Sequence, residues 1–365
     1  MTMKTNLLLI LALAAGLFFT ACKKESVEEE PTPEPVDNGY AEGILISNEG
    51  AFGAGNGSIS YFDTDKNTIT NELFKTVNNI PLGDVVQSVY RGEKYTYVCV
   101  NASNKVEVIN SKTFEAVVTI TGLPQPRYAI ENDGKLYVSC WGNGGQIKTI
   151  DTESNLVIDS IMVGTGPEGI AIAANKLFVA NSGGFGVDST ISVIDLSNNN
   201  ISTIILDAYN PGSLAVDASS NVWVLAKGNI IYDASWNPIG HNPSKLFSIN
   251  STTNSIGKTI NLFADKHPAR MAISGNKERI YYGAGYGFTG IFKLNIHDTS
   301  ADPNPFIDGD YYGFLVNENN EEIFVLSAPF GANGLLTRYA ANGDKIDENE
   351  VGVFPNGGVS KRVGQ

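Results

Sequence analysis

Seven segments of this chain are versions of one strand: ILISNEG from Ile44, YTYVCVN from Tyr95, KLYVSCW from Lys135, KLFVANS from Lys176, NVWVLAK from Asn221, RIYYGAG from Arg279 and EIFVLSA from Glu322. They recur at intervals of about 40 to 60 residues, the period of a unit of four short strands. Two neighbouring units display the plan. KLYVSCWGNGGQIKTIDTESNLVIDSIMVGTGPEGIAIA and KLFVANSGGFGVDSTISVIDLSNNNISTIILDAYNPGSLAVD both run strand, glycine turn, strand ending in Ile-Asp, polar turn, strand, proline-glycine turn, strand. Apolar stripes at helical spacing are scarce, whereas Gly, Asn, Thr, Val, Ile and Tyr are plentiful. The pattern predicts an all-β chain folded as a seven-bladed β-propeller.

The two ends of the repeat array predict how the ring closes. Nothing before Gly43 resembles an inner strand, so the chain enters its first blade at the second strand. The C-terminal FPNGGVSKRV resembles GPEGIAIA and NPGSLAVD, which are inner strands of other blades. A C-terminal strand joining the first blade removes two exposed sheet edges at once.

The N-terminus belongs to a different regime. Met1 to Asn6 carries one lysine, Leu7 to Phe19 is an apolar run, and the small residues Thr20 and Ala21 precede Cys22. Such a run matches the core of an export signal and is too short for a membrane-spanning helix of roughly 20 residues. Phe19-Thr20-Ala21-Cys22 resembles the lipobox of bacterial lipoproteins, with Phe19 where Leu is commonest. The resemblance implies a signal peptide over 1–21, lipidation of Cys22 and membrane attachment through lipid alone; the other reading is an ordinary cleaved signal. KKESVEEEPTPEPVDN has no aromatic residue and abundant Glu and Pro, so 22–38 reads as an acidic, disordered tether. An acidic stretch after the cysteine resembles the signal that sends Bacteroidota lipoproteins to the outer face of the outer membrane; the alternative is a plain linker on a periplasm-facing lipoprotein. The propeller then occupies 39–365.

A formal net charge of −14 leaves no basic patch to displace counterions, which argues against a nucleic-acid partner. Of the three cysteines, Cys99 and Cys140 lie in apolar strands and read as small buried thiols rather than a disulfide, and no metal-ligand spacing links the three. The three histidines, His241, His267 and His297, fall in separate loops without the spacing of a triad or metal site. The chain therefore reads as a binder rather than an enzyme. A lactonase-like or lyase-like activity is the alternative, because blades far apart in sequence converge in space. No cofactor is implied, and calcium at Asp308 to Asp310 is left open.

Aligned by blade, the turns between second and third strands share a peculiarity. NEGAFGAGNG, WGNGG, NSGGFGVDS, KGNIIYDASWNPIGHNPS, GAGYGFTG and APFGANG carry aromatics among glycines, while the second blade has only NASNK. These turns share a face with the connections into the next inner strand. The alignment thus gathers Phe52, Trp141, Phe185, Tyr232, Trp236, Tyr286, Phe288 and Phe330 with Arg127, Tyr128, Tyr209, Asn210, Arg270, Tyr311 and Tyr312. The aromatics read as a docking surface for a large ligand, with gap filling between blades as the structural alternative. The turn from Gly228 to Ser244 is much longer than its counterparts, a mark of loops that bind.

LFVANS, ISVIDL, VGTGPEGIAIA and YVCVNASNKVEVIN match the running pattern of YncE-like, YVTN-repeat propellers, a resemblance covering nearly all residues after Gly43. With the lipoprotein leader and NEGAFGAGNGSISYFD, the chain further resembles BtuG-type lipoproteins, which capture cobalamin above a TonB-dependent outer-membrane transporter. That resemblance implies a corrinoid ligand whose amides meet Asn56, Asn143, Asn210 and Asn333, whose ring and nucleotide loop meet the aromatics, and whose phosphate meets Arg127 or Arg270. Haem, a siderophore or a glycan are alternative ligands on the same scaffold, and a protein-interaction scaffold is the third reading.

Overall fold

The computed structural model describes residues 39–92 and 94–360. The leader over 1–21, Cys22 and the tether over 22–38 lie outside the described residues. Seven four-stranded antiparallel sheets form the blades, and the chain order of their strands runs from the centre of the ring outward. The exception is the first blade, whose inner strand is the C-terminal Pro355–Val359, paired with Ile44–Asn48 in the register Leu45 to Val359 and Ile46 to Gly358. Closure occurs as the terminal sequences imply.

Burial explains each strand's composition. Second strands such as Ile44–Asn48 and Val222–Ala226 are buried along their whole length because neighbouring blades cover both faces. Continuous apolar runs follow, as expected for strands without a wet face. Inner strands alternate, as in Pro167–Ala173, and fourth strands such as Leu156–Met162 form an exposed rim. The core is a series of clusters between blades, and Trp223 in one of them is 1 % exposed, with its Nε1 donating to Asp217 at 2.9 Å.

A helix and an extra hairpin depart from the strand plan. A short helix, Leu73–Asn78, links the first and second blades and buries Leu73 and Phe74. The long turn from Gly228 to Ser244 folds as a hairpin of Asn229–Tyr232 against Pro238–Asn242, separate from the blade sheets.

Cys99 and Cys140 are buried and unpaired. Loss of hydration pushes the Cys99 thiol up to about 12 and raises Cys140 as well. Since the thiolate is the reactive form, neither cysteine is expected to react with a disulfide reagent in the native protein at neutral pH. Both should react fully in denaturant, a contrast read by absorbance of the released thiolate.

Candidate functional site

The channel mouth is built by a backbone device repeated around the ring. The residue before the inner strand has a left-handed φ in five blades: Val85, Gln125, Gly166, Asn210 and Phe354. At Gly166 a Cβ would lie 2.1 Å from the Gly184 amide nitrogen, so the close approach of those two turns requires glycine. In the same five blades the inner-strand pairing slips register at its start, as between Pro126 and Ala129 and between Pro167 and Ile170. Bulges re-aim side chains. Here the slipped positions carry Gln87, Arg127, Tyr128, Glu168 and Asn356, which collect polar groups around the channel.

These groups form a connected network across the ring. Arg127 donates to Glu168 Oε1 from Nε at 3.1 Å and from Nη2 at 2.7 Å, and its guanidinium lies 4.2 Å from the Trp141 ring centroid. Arg270 of the sixth blade donates from Nη1 to Tyr128 Oη of the third blade at 2.6 Å, so one hydrogen bond spans the channel. Both residues line a cavity of about 230 Å³, together with Ser47, Gln87, Ser88, Tyr90, Ser213 and Asn356 among others. Glu49 accepts from Tyr312 Oη at 3.0 Å and from Asn356 Nδ2 at 2.8 Å. Glu49, Glu168, Lys227 and Asn356 lie outside the set of residues that the blade alignment gathers. For Glu168 and Asn356 a signal existed, because both follow the proline that opens an inner strand, as Arg127 does.

Around this mouth stands a crown of exposed rings. Phe52, Phe185, Trp236, Tyr286 and Phe330 are between 81 and 99 % exposed, and Tyr209 and Tyr232 are also exposed. Three tips share one geometry: Phe52, Tyr286 and Phe330 each precede a glycine, Gly53, Gly287 and Gly331, with φ between 74° and 80° and open space on its Cβ side. The Phe52 turn is fixed from two sides, with Asn56 Oδ1 accepting from the Ala51 amide and Asp84 from the Gly53 amide. Phe185 meets Trp141 edge to face at 5.5 Å, and Tyr232 tilts against Trp236 at 5.9 Å. Trp141 is half-buried, and its Nε1 is out of solvent with no acceptor. An open cleft of about 320 Å³ lies beside Tyr286, Tyr311 and Tyr312.

Several candidates are placed differently from the expectation. Phe288 does not join the crown: it is 3 % exposed and packs on Phe263 and Phe292 in the core between the fifth and sixth blades. Asn210 is buried, and its amide nitrogen donates to the Ser182 and Gly186 carbonyls, so it supports the Phe185 turn instead of facing solvent. Asn333 is exposed but donates to Glu350, and Asn143 is exposed in a left-handed turn. Tyr311 leans on the core beside Tyr339, with its hydroxyl donating to the Asp308 carbonyl.

His241 and His267 meet despite their separation in sequence. Their rings stack, with Nδ1 of His241 3.0 Å from Nε2 of His267, while Nδ1 of His267 is 2.8 Å from the Lys227 carbonyl. The carbonyl requires a proton on His267 Nδ1, which leaves Nε2 to accept from His241. The pair thereby clamps the inserted hairpin, with Tyr232 and Trp236, to the ring. His267 is held below its ordinary range chiefly by burial. A histidine with a lowered folded-state pKa supports the clamp fully above about pH 6.5 and progressively less as pH falls below that value. Protection of the amides over 229–242, taken relative to intrinsic exchange at each pH, is accordingly expected to fall between about pH 7 and pH 5, and His267→Gln should flatten that dependence. Among the described residues, no three of His, Cys, Asp or Glu are grouped to hold a metal ion.

Fold and site together define a seven-bladed β-propeller with an aromatic crown around a charged, bulge-built channel mouth. The chain belongs to the family described as a domain of unknown function, DUF5074, whose model matches residues 42–357. No curated protein matches it. It is similar in fold to a quinonprotein alcohol dehydrogenase-like protein from Bacteroides thetaiotaomicron, at 15 % identity and a TM-score of 0.64 over 86 % of this chain and 76 % of that one. A candidate 6-phosphogluconolactonase from Bacteroides uniformis matches at 13 % identity and a TM-score of 0.62, covering 87 % of this chain and 99 % of the other. Hydrazine synthase of Kuenenia stuttgartiensis matches at 13 % identity and 0.58, covering 74 % and 88 %. At such identities the likeness is one of fold.

Proposed function

We propose that this protein is a lipid-anchored outer-membrane lipoprotein, facing the cell exterior, that captures a corrinoid such as cobalamin and passes it unchanged to a TonB-dependent transporter. The observation that carries this reading is the crown: five large aromatic side chains, 81 to 99 % exposed, surround one polar basin. Exposed rings contribute little to folding, whereas covering them removes apolar surface worth roughly 1.5–3 kcal/mol per side chain. A corrinoid suits the basin because its macrocycle offers a broad apolar face and its rim carries amides that pair with exposed backbone groups and Asn56 or Asn143. The leader with Cys22 and the acidic tether supports a surface anchor, and the likeness to BtuG-type lipoproteins supports this ligand. The histidine pair has a role in holding the hairpin, so binding without covalent chemistry is the simpler account.

The toroid closes between Ile44 and Val359, within the span retained by a soluble domain of residues 39–365. Mixed with cyanocobalamin and passed over a gel-filtration column, that domain is expected to carry the coloured ligand in its own peak. Free elution of the ligand would overturn the corrinoid reading. Co-elution of haemin or a glycan in its place would reassign the ligand, and retention of a membrane partner alone would favour a scaffold.

A further inference from the structure

We propose that the channel mouth is an oxyanion site, in which Lys227 and the free edge of the Arg270 guanidinium hold the anionic group of the captured ligand. The inference deepens the capture reading and rests on the aromatic face being the capture surface. Lys227 directly follows the second strand Val222–Ala226, and its backbone is tied on both sides: its N–H donates to the Asn210 carbonyl and its carbonyl accepts from His267. Its side chain is half-buried, and among the described residues no carboxylate lies within ion-pairing distance of the ammonium. Glu168 is the acid whose field reaches it, yet Oε1 of Glu168 already takes both hydrogen bonds from Arg127. Arg270 uses Nη1 on Tyr128, while its Nε, out of solvent, has no partner.

Charge at the mouth is therefore unbalanced. Three cations, Arg127, Lys227 and Arg270, face two carboxylates, Glu49 and Glu168, and Glu49 is already engaged by Tyr312 and Asn356. Burial first, and the two guanidiniums after it, hold the Lys227 ammonium below its ordinary range, while Glu168 opposes them. A positive cluster inside a chain of net charge −14 attracts anions only at short range, which suits one anionic group on a ligand held by other contacts. Arg127, committed to Glu168 and stacked on Trp141, holds those two side chains in place. The chemistry recognised is a single oxyanion, either a phosphodiester or a carboxylate.

Pyridoxal phosphate tests the site without any corrinoid. Its aldehyde condenses with the neutral Lys227 amine, releasing water, and borohydride delivers hydride to the imine carbon to leave a stable secondary amine. Peptide mapping is expected to find Lys227 labelled ahead of the exposed Lys66, with inorganic phosphate suppressing the label. Equal labelling, or no protection by phosphate, would overturn the proposal. In the ligand arm, Lys227→Met should weaken cyanocobalamin at least tenfold and dicyanocobinamide, which lacks the phosphodiester, less than twofold, and Lys227→Arg should restore most of the loss. Equal losses for both corrinoids would overturn the oxyanion role and leave capture standing. If the unaltered protein binds neither corrinoid, the capture reading fails by itself. Phosphate-protected labelling together with Lys227-dependent haemin binding would then support the oxyanion site, with a carboxylate as its ligand.

Discussion

A chain ending before Pro355 is expected to fail to reach the native state, giving aggregated protein or a far-ultraviolet spectrum without cooperative melting. The removed segment does more than add one strand. It satisfies the backbone edge of Ile44–Asn48 through the whole register from Leu45 to Asn48. It also supplies Asn356, whose side chain is buried, donates to Glu49, Val86 and Gln87, and accepts from Ser47 at 2.6 Å. Each buried polar group left without a partner costs about 1–3 kcal/mol, so the loss of these bonds adds several kcal/mol to the cost of the open sheet edge. Asn356→Leu isolates this part. Its melting should stay cooperative but shift down by several degrees, and an unchanged melting temperature would show that the side-chain bonds contribute nothing.

Replacing Phe52, Phe185, Tyr286 and Phe330 together by alanine is expected to lower cyanocobalamin affinity by on the order of a hundredfold or more while leaving the melting temperature nearly unchanged. The four rings are exposed, and three of them stand on glycine tips with open space around them. Their removal leaves no cavity in the core. Aromatic contacts contribute roughly 0.5–1.5 kcal/mol each beyond area burial, and each 1.4 kcal/mol is about a factor of ten in affinity. Phe288→Ala is the internal contrast. Packed against Phe263 and Phe292, it should destabilise the fold by about 3–5 kcal/mol. Unchanged affinity in the quadruple variant would remove the crown from the binding account.

The difference between Phe288 and Phe330 shows where legibility ended. Both sit near glycines in turns between second and third strands, and composition treats them alike. Phe288 is drawn inward because Phe263 and Phe292 wall a space between two blades, whereas no such space receives Phe330. Asn210 is a similar case, since its buried amide is consumed by carbonyls of the preceding blade's turn. The hairpin within Gly228–Ser244 had a local signal in NIIY and PIGHN around a polar turn, yet its clamp on His267 depends on a residue 26 positions away.

By itself, the sequence determined the seven strand repeats, the all-β class and the closing strand, because strand pairing within a blade joins neighbours in the chain and each apolar run reports its own burial. Tertiary structure alone decided how the groups of the channel mouth pair. Arg127, Glu168, Lys227 and Arg270 come from four different blades, and repeated bulges turn several of the mouth's polar groups inward. Electrostatic partnership of that kind depends on distance through the ring, which no local pattern along the chain encodes.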